Sequence, residues 1–366
     1  MSEVLQKEDY ISTEHMTVGY GKTPLIRDIE LHVRRGEIVT LIGPNGAGKS
    51  TILRSIIRQL NLLGGSVSLD GQPMAGMSER QIAKQMSVVM TERIQPELMT
   101  CFEVVSTGRY PYTGALGILS EEDKEKTAEA IRLVHAEDIA DRDFSEISDG
   151  QRQRILLARA VCQETPAIIL DEPTSFLDIR HKLELLTILK QLVCEKHVAV
   201  LLSLHELDLA QKVSDYIVCV SGDQIDRCGT PEEIFTSDYI TKLYGMTSGS
   251  YDAALGCLEM EPVHGAPQVF VIGGGGSGIP VYRKLQRKGI PFAAGILHEN
   301  DVEYPVAKAL ASVVITEKAF EPISDEAYAE AVKVMESCRE VISCIEKFGT
   351  CNRRNQELAA RKPKNQ

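Results

Sequence analysis

Gly43-Pro44-Asn45-Gly46-Ala47-Gly48-Lys49-Ser50-Thr51 satisfies G-x-x-x-x-G-K-[ST], a spacing that suits the phosphates of a nucleoside triphosphate. Glycines at 43, 46 and 48 let backbone N–H groups approach phosphate oxygens closely. Lys49 offers a fixed charge to the β and γ phosphates and Ser50 a hydroxyl to Mg²⁺, with Asn45 and Thr51 in the same wrap. Downstream, the apolar run Ala167 to Leu170 ends in Asp171-Glu172. The first acid can reach a Mg²⁺ shell, and the second can polarise a water in line with the γ-phosphate. Asp178 follows shortly after and is expected near that water. His205 closes the run Leu201 to Leu204, where an imidazole can hydrogen-bond the γ-phosphate.

These groups need a scaffold that brings distant segments to one edge. Ile38 to Ile42 has the β-branched character of a buried strand and Ile52 to Ile57 has helical potential, so the first glycine loop falls at a strand-to-helix turn. Ser66 to Leu69, Ser87 to Met90, Ala167 to Leu170, Val198 to Leu204 and Ile217 to Val220 read as further strands separated by helical stretches, hence an α/β chain with a buried central sheet. From about 91 to 150 helical patterns dominate, notably Ser120 to His135, which begins S-x-x-D; a helical subdomain is expected there. Ser, Gly and Ala around 247–256, then Pro262, Gly265 and Pro267, predict a domain at 8–256, a linker at 257–267 and a second domain at 268–366.

The second domain reads as a smaller βαβ, Rossmann-like unit: a strand Val269 to Ile272, a glycine loop, a short helix to Lys288, strands at Pro291 to Leu297 and Ser312 to Thr316, and a long helix from about Asp325 to Phe348. Gly273 to Gly278 fits G-x-G-x-x-G, with Glu299 and Asp301 beyond the next strand, half of a dinucleotide fingerprint. A purely structural glycine loop is the competing reading. Cys338, Cys344 and Cys351 are spaced too irregularly for a metal site and read as packing.

Composition bounds the alternatives. The chain has 366 residues, 43% hydrophobic and 25% charged, with a formal net charge of -12, which leaves no general attraction for nucleic acid. Nine cysteines without a C-x-x-C pair suggest neither a disulfide framework nor a zinc site. No apolar run approaches bilayer length and the first residues are too acidic for a signal peptide, so a cytoplasmic location is expected.

Ile147-Ser148-Asp149-Gly150-Gln151-Arg152-Gln153, opening an amphipathic stretch, completes a set that resembles an ATP-binding cassette (ABC) ATPase from residue 10 to about 250. The resemblance implies a mixed-sheet cassette with Mg-ATP as cofactor, Tyr20 as the platform for adenine, and Ser148, Gly150 and Gln151 facing ATP held by a second, head-to-tail copy. Two positions depart from the family's pattern. Asp149 stands where a glycine is usual, so its carboxylate is expected to point outward to solvent or to a main-chain partner. After Ser87 to Met90 the usual glutamine is replaced by Thr91-Glu92-Arg93, with Gln95 four residues late; Glu92 or Thr91 is expected nearest the Mg²⁺ shell. Gly108 to Gly114 followed by Ser120-Glu121-Glu122-Asp123 resembles importer cassettes for iron siderophores, haem and cobalamin. That implies multi-spanning permease subunits docked on the helical subdomain, a substrate-binding protein acting indirectly, and attachment to the cytoplasmic membrane face. The rival reading is a soluble, non-transport ABC ATPase whose C-terminal domain recognises a partner or small ligand.

Overall fold

The structure, a computed structural model, describes residues 9–90, 98–114, 117–253 and 255–361. Two compact units divide the chain, 1–235 and 236–366.

The first unit opens with β1 (Asp9–Tyr20), β2 (Thr23–Arg34), β3 (Glu37–Ile42) and α1 (Lys49–Ile56), then β4 (Gly64–Leu69), β5 (Gln72–Pro73), α2 (Glu79–Gln85) and β6 (Met86–Val89). The helices α3 (Cys101–Ser106), α4 (Glu121–Leu133) and α5 (Asp149–Cys162) follow, then β7 (Ala167–Leu170) and α6 (Ile179–Lys196). It closes with β8 (Ala199–Ser203), α7 (Leu207–Val213), β9 (Tyr216–Ser221), β10 (Gln224–Gly229) and α8 (Pro231–Ile234). Among the described residues the strands form two sheets, β2-β1-β4-β5 and β10-β9-β3-β8-β7-β6. The first is antiparallel, and β2 buries Ile29, Leu31 and Val33 at alternate positions. The strands β7 and β8 are buried along their whole length, as parallel strands covered on both faces must be. Ile52, Leu53 and Ile56 of α1 share one apolar core with both sheets.

The helices α3, α4 and α5 pack on one another, and the segment Gly108 to Gly114 ties them. Ser120 caps α4 in a reciprocal box with Asp123. Asp123 Oδ1 also accepts from Arg109 Nε at 2.9 Å, while Arg109 Nη1 donates to the Cys162 carbonyl at the end of α5 at 2.9 Å. The Arg109 bond, reinforced by Ser120, holds the Asp123 carboxyl down at about 2. Gly108 lies so close to α5 that a Cβ there would strike the Arg159 carbonyl oxygen.

The second unit contains α9 (Ser237–Leu243), β11 (Ser250–Asp252), β12 (Cys257–Glu259), β13 (Val269–Ile272), α10 (Ile279–Arg287), β14 (Phe292–His298), α11 (Tyr304–Leu310), β15 (Val313–Glu317), α12 (Asp325–Ser337), β16 (Glu340–Ser343) and α13 (Arg353–Ala360). The expected boundary at 256 falls inside it. Ser250 pairs with Glu259, so the Ser/Gly-rich stretch is a hairpin and the start of the expected linker is its second strand. The hairpin packs on α11, and Glu259 pairs with Arg283 of α10.

The unit's larger sheet has the order β15-β14-β13-β16 and every pairing in it is parallel. Apolar residues of α10 and α11 share one core, and those of α12 and α13 another, one on each face. The expected helix to Phe348 stops at Ser337 instead. Val341 and Ile342 pair with the edge of β13 that β14 leaves open, so the ladder outweighs the helical pattern. Buried Asn355 of α13 satisfies both backbone groups of Ile296, where the register between β14 and β15 shifts.

Candidate functional site

Parallel pairing aligns the C-terminal ends of β3, β8 and β7: Leu41 lies opposite Ser203, and Leu170 opposite Leu202. Everything that follows these strands meets at one edge, although Ser50 after β3 and Asp171 after β7 are 121 residues apart in the chain. The loop after β3 runs into α1 with Gly46 at φ 79° and Gly48 at φ 98°, conformations costly for any residue with a Cβ. Lys49 Nζ donates to the Gly43 and Pro44 carbonyls at 2.7 and 3.1 Å. Burial pulls its pKa down, against the charges of Glu172 and Asp171.

The acids lie beside this loop. Ser50 Oγ donates to Asp171 Oδ1 at 3.0 Å, a juxtaposition of hard oxygen donors of the kind Mg²⁺ takes. Glu172 adopts φ 48° and its carboxylate contacts His205 Nε2, so the imidazole lies on the base as well as at the mouth of the cleft. Tyr20 is 56% exposed, with its hydroxyl 3.1 Å from Thr51 Oγ1, and leaves a ring face for a flat ligand. Tyr20, Asn45, Lys49, Ser50, Glu172 and His205 line a cleft of about 580 Å³.

Ser148, Gly150 and Gln151 form the N-terminus of α5, where Ser148 and Gln151 cap each other through side chain and backbone. The Asp149 carboxylate is half-exposed, as expected of a group turned to solvent, and it also accepts from Arg152 Nη1 at 3.1 Å, so its charge is balanced within one helical turn. Asp178 is turned to its own helix: it accepts from His181 N at 2.9 Å as the cap of α6, and that N–H lowers its pKa. Thr91, Glu92 and Gln95 lie outside the described residues.

Ser203 was not legible as a site residue. It donates to Asp171 Oδ1 at 2.8 Å and accepts from Glu172 N–H at 2.9 Å. The available signal was a lone hydroxyl in an otherwise apolar strand, two residues before His205.

The second glycine loop is built differently. Gly275 N–H donates to the Asp301 carboxylate at 2.9 and 3.0 Å, so an acid from beyond β14 already occupies it. Glu303 is 0% exposed, and a Cβ at Gly273 or Gly278 would overlap its Oε1. Tyr282 Oη faces the same carboxylate; burial, then the Glu303 charge, pushes its pKa up. Among the described residues neither Glu303 oxygen nor Tyr282 Oη has a partner in hydrogen-bond geometry. These glycines make room for an internal carboxylate, and two acids at the loop oppose a pyrophosphate.

The family model described as ABC transporter matches residues 26–175, and a second model, the MJ0874 family, matches residues 292–366. An ABC transporter ATP-binding protein of Methanocaldococcus jannaschii is 40% identical over 289 residues, 78% of this chain and 99% of the relative. An iron(3+)-hydroxamate import ATP-binding protein of Bacillus subtilis is 36% identical over 234 residues, 64% of this chain and 87% of the relative. A solved structure of the ATP-binding subunit of an ABC transporter superposes with TM-score 0.56 at 26% identity, covering 65% of this chain and 95% of that one. With the phosphate loop, the paired acids and the α5 N-terminus in place, the chain belongs to the ABC transporter family as an ATP-hydrolysing cassette.

Proposed function

We propose that the chain drives uptake of an iron chelate through separate membrane subunits, working as a head-to-tail pair of cassettes that close on two Mg-ATP. The observation that carries the chemistry is the unbroken line Ser50, Asp171, Ser203, Glu172, His205 beside the Lys49 loop. Lys49 and the loop N–H groups hold the β and γ phosphates. Glu172 polarises the attacking water, and His205 orients Glu172 and the γ-phosphate. Ser50 and Asp171 would hold Mg²⁺, with Glu92 as a further candidate; when bound, the ion neutralises charge on the phosphates. The α5 N-terminus, with Ser148 and Gly150, supplies an anion site for the ATP of the second copy.

The iron(3+)-hydroxamate relative supports the cargo class. Among the described residues no helix is long and apolar enough to cross a membrane. The passage is assigned to permease subunits that hold the chain at the cytoplasmic face, with a substrate-binding protein delivering the cargo. We place the second unit outside the hydrolytic machinery, as a regulatory or assembly appendage. Uptake of labelled ferric hydroxamate and of labelled cobalamin, measured in cells lacking the chain, tests the reading. Wild type should restore the first and Glu172→Gln should not. Restoration of cobalamin alone would change the cargo, and restoration of neither, with no permease co-purifying, would favour the non-transport ATPase.

A further inference from the structure

Ser203 is fully buried at the end of β8, between the two acids of the site. A hydroxyl has one proton, and here it goes to Asp171 Oδ1, which also accepts from Ser50 Oγ. That leaves the oxygen lone pairs to Glu172 N–H, so the direction of both bonds is determined. The second bond matters because Glu172 sits at φ 48°, a region that residues with a Cβ enter only when the surroundings hold them there. The rest of β8, Ala199 to Leu202, is apolar, so a hydroxyl at this point contributes nothing to strand formation that Val or Ala would not.

We propose that Ser203 is a positioning residue for hydrolysis: through one hydroxyl it sets the carboxylate on the metal side, Asp171, and the backbone of the base, Glu172, in a single geometry. The proposal rests on the hydrolytic roles given to those two acids. Ser203 touches neither Lys49 nor the glycine loop in its hydrogen bonds, so loss of the hydroxyl should separate turnover from nucleotide binding.

The test is steady-state ATPase activity with a Mg²⁺ titration, beside calorimetric ATP binding in EDTA, on the full chain and on Ser203→Ala. We expect kcat to fall about tenfold or more and the Mg²⁺ concentration for half-maximal rate to rise severalfold. ATP affinity without Mg²⁺ should stay within about twofold. A kcat and Mg²⁺ requirement both at wild-type level overturn the proposal. So does a loss of Mg²⁺-free affinity in proportion to kcat, which marks a general structural role. If the alanine variant does not fold, Ser203→Cys, which keeps the volume with weaker hydrogen bonds, is judged by the same readouts. Wild-type chain without ATPase activity would instead sink the hydrolytic reading itself.

Discussion

The chain carries two glycine loops in the same topological place, each after a buried parallel strand and before a helix, and they do opposite things. Around Gly43 to Gly48 the loop supplies its own lysine, and the neighbouring strands deliver a serine hydroxyl and acids that stand off to one side, bonded to one another. Around Gly273 to Gly278 they deliver Asp301 onto a loop N–H and Glu303 beneath the backbone. Glycine supplies close approach in both cases. What approaches is decided by the side chains on the adjacent strand ends: a carboxylate of the protein itself in the second loop, and in the first, on the reading proposed above, a phosphate.

The largest effect is expected for Glu172→Gln. The amide keeps the shape but cannot act as a base, so kcat should drop by roughly 10²–10⁴ while ATP binding persists. Size exclusion with Mg-ATP should then show a trapped dimer; near-normal turnover with monomer only would remove Glu172 from its role. Next in size is Lys49→Ala, which withdraws the loop's own cation. ATP affinity should weaken by about tenfold or more, and an unchanged calorimetric titration would mean that the first loop holds phosphate through backbone alone.

Gly273→Ala tests the other loop. Its Cβ would collide with Glu303 and Tyr282, so the second unit should lose about 1–3 kcal/mol in thermal or denaturant unfolding with ATPase activity unchanged. An undiminished melt would show that the carboxylate has room to move. Tight binding of a dinucleotide, lost in Gly275→Val, would make the second loop a nucleotide site as well.

The smallest effect concerns the tie that holds the helical segment of the first unit. Asp123 is depressed from 3.8 to about 2 in the folded chain, so its contribution is fully present above about pH 4 and is lost as pH falls through about 2. Acid unfolding of wild type should therefore steepen across that window, and Asp123→Asn should flatten the slope. Equal slopes would mean that the Arg109 pair contributes nothing to stability.

Local chemistry in the sequence was enough for the phosphate loop, for the acids after Leu170, for His205 and for the Ser120 cap. In each, a turn or cap demands particular residue types at fixed spacing, and the apolar runs beside them announce their strands. Residue spacing determined that much, and the ABC cassette followed from the resemblance of those motifs to the family. Tertiary structure decided the rest. Ser203 became a bridge because β7 and β8 are in register, and no spacing along the chain encodes which strands lie side by side. Residues 340–343 became a strand because β13 had an open edge, although the run from Asp325 reads as helix. The division between units moved because a Ser/Gly-rich stretch can be either linker or hairpin, and only its pairing partner tells them apart. The second glycine motif had the letters of a nucleotide site, but its meaning lay in Asp301 and Glu303, brought under it from beyond the next strand. Backbone geometry is written locally; the charge that meets it is set by packing.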